Sequence, residues 1–187
     1  MEKLIYYFAQ AGFKDHEIQI ITSWFHQINL TKGDYFIKEG KISKQLGFID
    51  KGYLQYYIIL NDEEKTTYSV GENELVVSLI SFLKQIPAKE NIRAVMDSSI
   101  WVIERDHLKQ LQEDLPSFKT FYISLLEWQI CCIDESRLDA IMLKAPQRYE
   151  KMLEKEPNLI QNIPLQYLAS ILGVTPRHLS RIRKSIR

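Results

Sequence analysis

Cysteine is scarce: the 187-residue chain holds two, adjacent at Cys131-Cys132. Neighbouring helical positions point about 100° apart, so the pair suits neither a disulfide framework nor a four-ligand zinc or iron–sulfur site. Histidine is sparse too, with four residues, His16, His26, His107 and His178, far apart in sequence. No run approaches the ~20 apolar residues that a membrane-spanning helix needs. The start, Met1-Glu2-Lys3-Leu4, lacks a basic segment followed by an apolar one, so no signal peptide is expected. A cytoplasmic location with reduced thiols is the corresponding expectation. Net charge is absent as well, 24 Lys+Arg standing against 24 Asp+Glu. Such a balance argues against nucleic-acid binding unless the charges are segregated along the chain.

What is present is an ordinary globular composition, 45% hydrophobic, in a length that allows one domain or one with a small appendage. Residues 2–29 read as helical, since Leu4, Tyr7, Phe8, Ile18, Ile21, Trp24, Phe25 and Ile28 recur at spacings of three and four, with Gly12 as a break. From about Leu30 to Glu104 the pattern changes to short β-branched and aromatic runs around 35–37, 46–49, 53–59, 66–70, 91–95 and 99–103. Gly-, Asn- and Asp-containing turns separate them, the signature of an antiparallel sandwich or barrel. The stretch 74–83 interrupts the strands as a short helix. Helices then return at 107–113, over a long apolar stretch at 117–143 that stops before Pro146, and at 146–155.

The C-terminal stretch from Ile163 carries the most specific pattern. Pro164 fits the first turn of a helix whose Leu165, Leu168, Ala169 and Leu172 line one face. Gly173 suits the left-handed residue that ends it. Thr175-Pro176 is an N-cap and N1 pair for a second helix with Leu179 and Ile182 as its buried positions. Two short helices, a glycine turn and a small residue at the contact make a helix-turn-helix plan. From Ile163 onward there are five basic residues (Arg177, Arg181, Arg183, Lys184, Arg187) and no Asp or Glu. The rest of the chain holds 19 basic residues against 24 acidic, a net of −5. The neutral total is an acidic body with a +5 reader, which duplex phosphates favour through counterion release. The candidate DNA-binding residues are Thr175, Pro176, Arg177, His178, Ser180, Arg181, Arg183 and Lys184.

Phe36-Ile37-Lys38-Glu39-Gly40, Phe48-Ile49-Asp50-Lys51-Gly52-Tyr53-Leu54, Ile92-Arg93-Ala94-Val95, Leu168-Ala169-Ser170-Ile171-Leu172-Gly173-Val174-Thr175 and Leu179-Ser180-Arg181-Ile182 together resemble the Crp/Fnr family of bacterial transcription regulators. The resemblance covers nearly the whole chain. It implies an α+β fold: an N-terminal antiparallel β-roll (a double-stranded β-helix, jelly-roll-like) with flanking helices over 1–115, a dimerisation helix at 116–144, and a helix-turn-helix at 145–187. It places Pro176, Arg177 and Arg181 toward base edges. Family members often carry an acidic residue where Arg177 stands, so base preference does not transfer. With the chain ending at Arg187, the family's β-wing would be shortened or absent.

The resemblance also locates an effector pocket at Val77, Ser78, Ala88, Lys89 and Arg93, with a mismatch to cyclic-AMP-binding members. Val77-Ser78 stand at their Gly-Glu pair and Ala88 at the arginine that takes the cyclic phosphate. An anion without that arginine loses a charge-assisted contact of about 1.5–3 kcal/mol. No functional cyclic-AMP site is therefore expected. Nor is any cofactor: two adjacent cysteines cannot hold the family's iron–sulfur cluster, and lone histidines are more often structural than haem ligands.

The 117–143 helix is apolar on two faces, one with Phe121, Leu125, Trp128 and Cys132, the other with Tyr122, Leu126 and Ile133. Two apolar faces need two partners, the β-roll and a second subunit, and a two-fold dimer suits a reader of two half-sites. The expected partners are thus double-stranded DNA, a second copy of the chain, and a small-molecule effector of unspecified class, with no membrane. The rival reading is a cupin-like ligand-binding or interaction module whose terminal hairpin binds no DNA. The scattered histidines and the absence of a phosphate loop or nucleophile motif speak against an enzyme of that class.

Overall fold

The computed structural model describes residues 1–186. Two short helices, α1 (Glu2–Gln10) and α2 (Asp15–Ser23), lead into the strands. The expected helical run to residue 29 ends early, because β1 occupies His26–Leu30. Ile28 continues the helical spacing of Ile21 and Trp24 but belongs to a strand paired with β8, opposite Ile100.

The strands β2 (Tyr35–Ile37), β3 (Gln45–Lys51), β4 (Leu54–Leu60), β5 (Glu63–Val70), β6 (Leu75–Val76), β7 (Asn91–Ala94) and β8 (Ser98–Glu104) follow, with helix α3 (Leu79–Lys84) between β6 and β7. They form two antiparallel four-stranded sheets, in the orders β1-β8-β3-β6 and β2-β7-β4-β5. This is the expected β-roll. The interruption at 74–83 is a two-residue strand followed by a single short helix. Phe36, Ile49, Leu54, Tyr56, Ile92 and Ile100 meet between the sheets. The β4–β5 hairpin closes through Asn61-Asp62, both at positive φ (52° and 61°), the primed-turn geometry that matches strand twist.

Helix α4 (Arg105–Asp114) runs directly into α5 (Pro116–Met142), a helix of 27 residues. Its first turns pack on the β-roll, with Phe118 buried and Phe121 and Tyr122 against Phe8, Leu108 and Leu111. Beyond Leu126 the helix leaves this core: Trp128, Ile130 and Ile133 are each at least half exposed.

Helices α6 (Ala145–Lys155), α7 (Pro157–Asn162), α8 (Leu165–Ile171) and α9 (Pro176–Ile186) complete the described chain. Pro157 starts α7 instead of merely ending the helix before it. A separate apolar core of Tyr149, Leu159, Ile160, Leu168, Ala169, Leu179 and Ile182 holds these helices together, and Tyr53 of the β-roll inserts into it. The α5–α6 corner is bound by Lys151, which bonds both Glu135 and Asp139, and by Lys155 on Glu135. Those two ammonium donors hold the Glu135 carboxyl down at about 2. Among the described residues no helix is long and apolar enough to cross a membrane.

Candidate functional site

The expected DNA reader corresponds to α8, its turn and α9. Pro164 stands one place ahead of α8, as its cap, not in the first turn. The helix ends in a Schellman turn: Gly173 N–H donates to Ser170 O (3.0 Å), and Val174 N–H to Ala169 O (2.9 Å). Gly173 sits at φ +68°, the left-handed conformation that such a turn demands. Thr175 Oγ1 accepts the His178 N–H at 3.2 Å, which caps α9. Leu179 and Ile182 are buried against Leu168 and Ile160, so the opposite face of α9 is fixed toward solvent.

That outer face carries Thr175, Pro176, Arg177, His178, Arg181 and Lys184, all exposed. Ser180 is half-buried, and its hydroxyl donates to Pro176 O at 3.0 Å. Arg183 points elsewhere. Its guanidinium lies over the Tyr149 ring, 5.8 Å from the centroid, and donates to Ile160 O at 3.4 Å. Arg183 thus ties α9 to the core of the C-terminal helices, which its position four residues after Leu179 makes readable. Arg187 lies outside the described residues. Leu165, Ser180, Arg183 and Lys184 border a shallow groove between α8 and α9.

The effector-pocket residues do not converge. Tyr56 Oη takes the Val77 N–H at 3.1 Å and faces Val77 O at 3.3 Å. Burial drives the Tyr56 phenol strongly upward, so the hydroxyl stays protonated. Ser78 Oγ donates to Glu90 Oε1 at 2.9 Å, and burial raises the Glu90 carboxyl above its usual range. Ala88 is buried, its backbone paired with Lys41 O and Gly40 N. Lys89 is exposed. Arg93 is no pocket residue: strand alternation sends Ile92 into the core and Arg93 to the outer face. There it forks onto Glu64 (3.0 and 2.7 Å), donates to Gln55 Oε1 (3.0 Å) and stacks on Tyr57. Burial works against its charge, but the Glu64 pair outweighs that and holds the guanidinium firmly protonated. The pocket region therefore gathers Val77, Ser78, Tyr56 and Glu90. Sequence reading missed the last two, although Glu90 alternates with the exposed Lys89.

Residues 27–114 match the family model of the cyclic nucleotide-binding domain. Sequence comparison with curated proteins gives no significant match. Among solved structures, the Thermus thermophilus catabolite activator protein is 21% identical, covering 94% of this chain and 84% of that one, with a TM-score of 0.61. FixK2 from Bradyrhizobium japonicum is 12% identical over 87% of this chain and 84% of its own, at TM-score 0.73. A transcriptional regulator of the Crp/Fnr family from Eubacterium rectale is 15% identical, with 94% and 84% covered and a TM-score of 0.65. At these identities the likeness is one of fold. The chain contains a cyclic nucleotide-binding-type β-roll. Its fold as a whole is of the Crp/Fnr type.

Proposed function

We propose that the protein is a cytoplasmic DNA-binding transcriptional regulator of the Crp/Fnr type, not an enzyme. It acts as a homodimer that reads a palindromic site with its two α9 helices. The observation that carries this reading is the outer face of α9. A Schellman turn and a Thr175 cap fix its orientation, and it exposes Arg177, Arg181 and Lys184 in a segment without a single carboxylate. Arg177 and Arg181 suit base edges, and Lys184 a phosphate. Arg183 contributes as a structural cation rather than a contact.

The dimer rests on α5. Ile123, Ile130, Ile133 and Ile141, at steps of seven, three and eight residues, share one exposed side of the helix. An apolar seam of this period pairs with a second copy of itself. The effector is not cyclic AMP: a buried Ala88, where the resemblance expects the phosphate-binding arginine, offers no charge to a phosphate.

Fluorescence anisotropy with labelled duplexes tests the reading. Binding should weaken linearly on a log–log salt plot, by several counterions per dimer. Salt-independent or absent binding would exclude it.

A further inference from the structure

The reader does not hang free of the β-roll. Its helix α8 lies against β5, the terminal strand of the second sheet. The Thr66 N–H points away from β4 and donates to Ser170 Oγ at 2.8 Å, while the same hydroxyl faces Thr66 O at 3.4 Å. One serine of the reader thus covers both backbone groups of an open sheet edge.

Behind Thr66 stands a polar layer on the outer face of the sheet. Gln55 Nε2 donates to Thr66 Oγ1 at 2.8 Å, and Gln55 Oε1 accepts from Arg93, which Glu64 holds from the other side. Ser69, opposite Gln55 in register, is fully buried with its hydroxyl lacking any hydrogen-bond partner. Tyr53 adds the apolar part, its ring in the reader's core and its hydroxyl 3.5 Å from Asn158 O. An interface joined through the Ser170 and Tyr53 hydroxyls beside a polar layer is of the kind that opens readily; obligate interfaces are more apolar.

We infer that the Ser170–Thr66 contact is a latch that holds the reader on its own sensor and competes with DNA. The inference rests on the DNA-binding role proposed above. The first helix of a helix-turn-helix crosses the phosphate backbone. In the latched position α8 lies on a strand that starts with Glu63 and Glu64, next to Asp62 at the hairpin tip. Those two glutamates are paired with Lys65 and Arg93, so the competition is steric: a phosphate strand laid along α8 would need the space that β5 fills, and DNA favours the unlatched reader. By linkage, weakening the latch strengthens DNA binding by the same factor.

Amide hydrogen exchange of the full chain, compared with Ser170→Ala, tests this. Alanine suits the helix, so α8 stays intact. Without DNA, the Thr66 amide should exchange slowly in the wild type and about three- to tenfold faster in the variant, as expected for the loss of one hydrogen bond. A duplex that the wild-type protein selects from random DNA should speed Thr66 exchange on binding, and Ser170→Ala should bind it about three- to tenfold more tightly. Unchanged Thr66 exchange in the variant, or equal or weaker affinity for that duplex, overturns the latch. Failure of either protein to bind any duplex overturns the DNA-binding role and the competition with it, while the exchange measured without DNA still reports whether the contact forms.

Discussion

Ser78 donates its hydroxyl proton to Glu90 across the cassette at 2.9 Å. In a β-roll that takes a cyclic nucleotide, this region must present positive or hydrogen-donating groups to a phosphate. Here it presents a carboxylate whose one hydrogen-bond donor is a neighbouring serine, with Lys89 turned to solvent. Placing a phosphate beside that carboxylate costs charge repulsion in a partly desolvated site. Titration calorimetry with cyclic AMP should give no saturable heat up to millimolar ligand. Micromolar binding would contradict the proposed exclusion of cyclic AMP.

Arg181 and Arg183 of α9 predict opposite phenotypes. Arg183→Ala removes a cation from the Tyr149 face and a donor from Ile160 O, and should cost the reader about 1–2 kcal/mol in thermal unfolding. Arg181→Ala, exposed and unbonded to the core, should leave the melting temperature unchanged and remove preference for particular sites. Lys184→Ala should weaken all DNA binding and flatten the salt slope by about two, one contact from each subunit of the dimer. Melting curves and competition against random DNA separate the three.

Glu74 gives the protein a pH-dependent weakness. Burial, reinforced by Glu156 and opposed by the Gly71 N–H bond, lifts its carboxyl to about 7. A raised folded-state pKa means the neutral acid fits the fold. Its stabilisation is complete below the unfolded value of about 4.5 and is lost as pH rises through about 7. Burial also raises Glu90 and Glu156, which act in the same direction. Glu74→Gln keeps an acceptor for Gly71 and should raise stability at pH 8 by about 1–2 kcal/mol, with little gain at pH 4. A gain equal at both pH values would show that the carboxyl's charge is not the cause.

Gly52 is the least replaceable glycine. It sits at φ +103°, and a Cβ there would come within 2.2 Å of Ser98 Oγ and 2.8 Å of the Ser98 backbone. Gly52→Ala combines backbone strain with a clash and should cost more than about 2 kcal/mol by denaturant unfolding. Gly40→Ala, with open space around it, should cost only the strain of its own φ of +81°.

How far each feature could be read from sequence depends on whether its cause is local. Gly173 and Thr175 announce the turn between α8 and α9 and the cap of α9 because their roles are fixed by the neighbouring residues. The strands from β2 onward follow from their turn residues in the same way. β1 was hidden because Ile28 falls in register with the helix before it, and only pairing with β8 makes it a strand. Arg183 looked like a DNA contact by charge alone, although its spacing from Leu179 already placed it on the buried side. Arg93 was assigned to the pocket by likeness of motif, whereas strand alternation from Ile92 sends it outward. The Ser170–Thr66 contact joins residues 104 positions apart and leaves no local trace.

Sequence-specific DNA recognition by α9 is the central expectation. Sequencing duplexes that the purified protein selects from random DNA tests it most directly. The prediction is an enriched inverted repeat with half-site centres about one helical turn apart, a preference that Arg181→Ala erases. Selected pools indistinguishable from the starting library, or the same repeat recovered by Arg181→Ala, would contradict it.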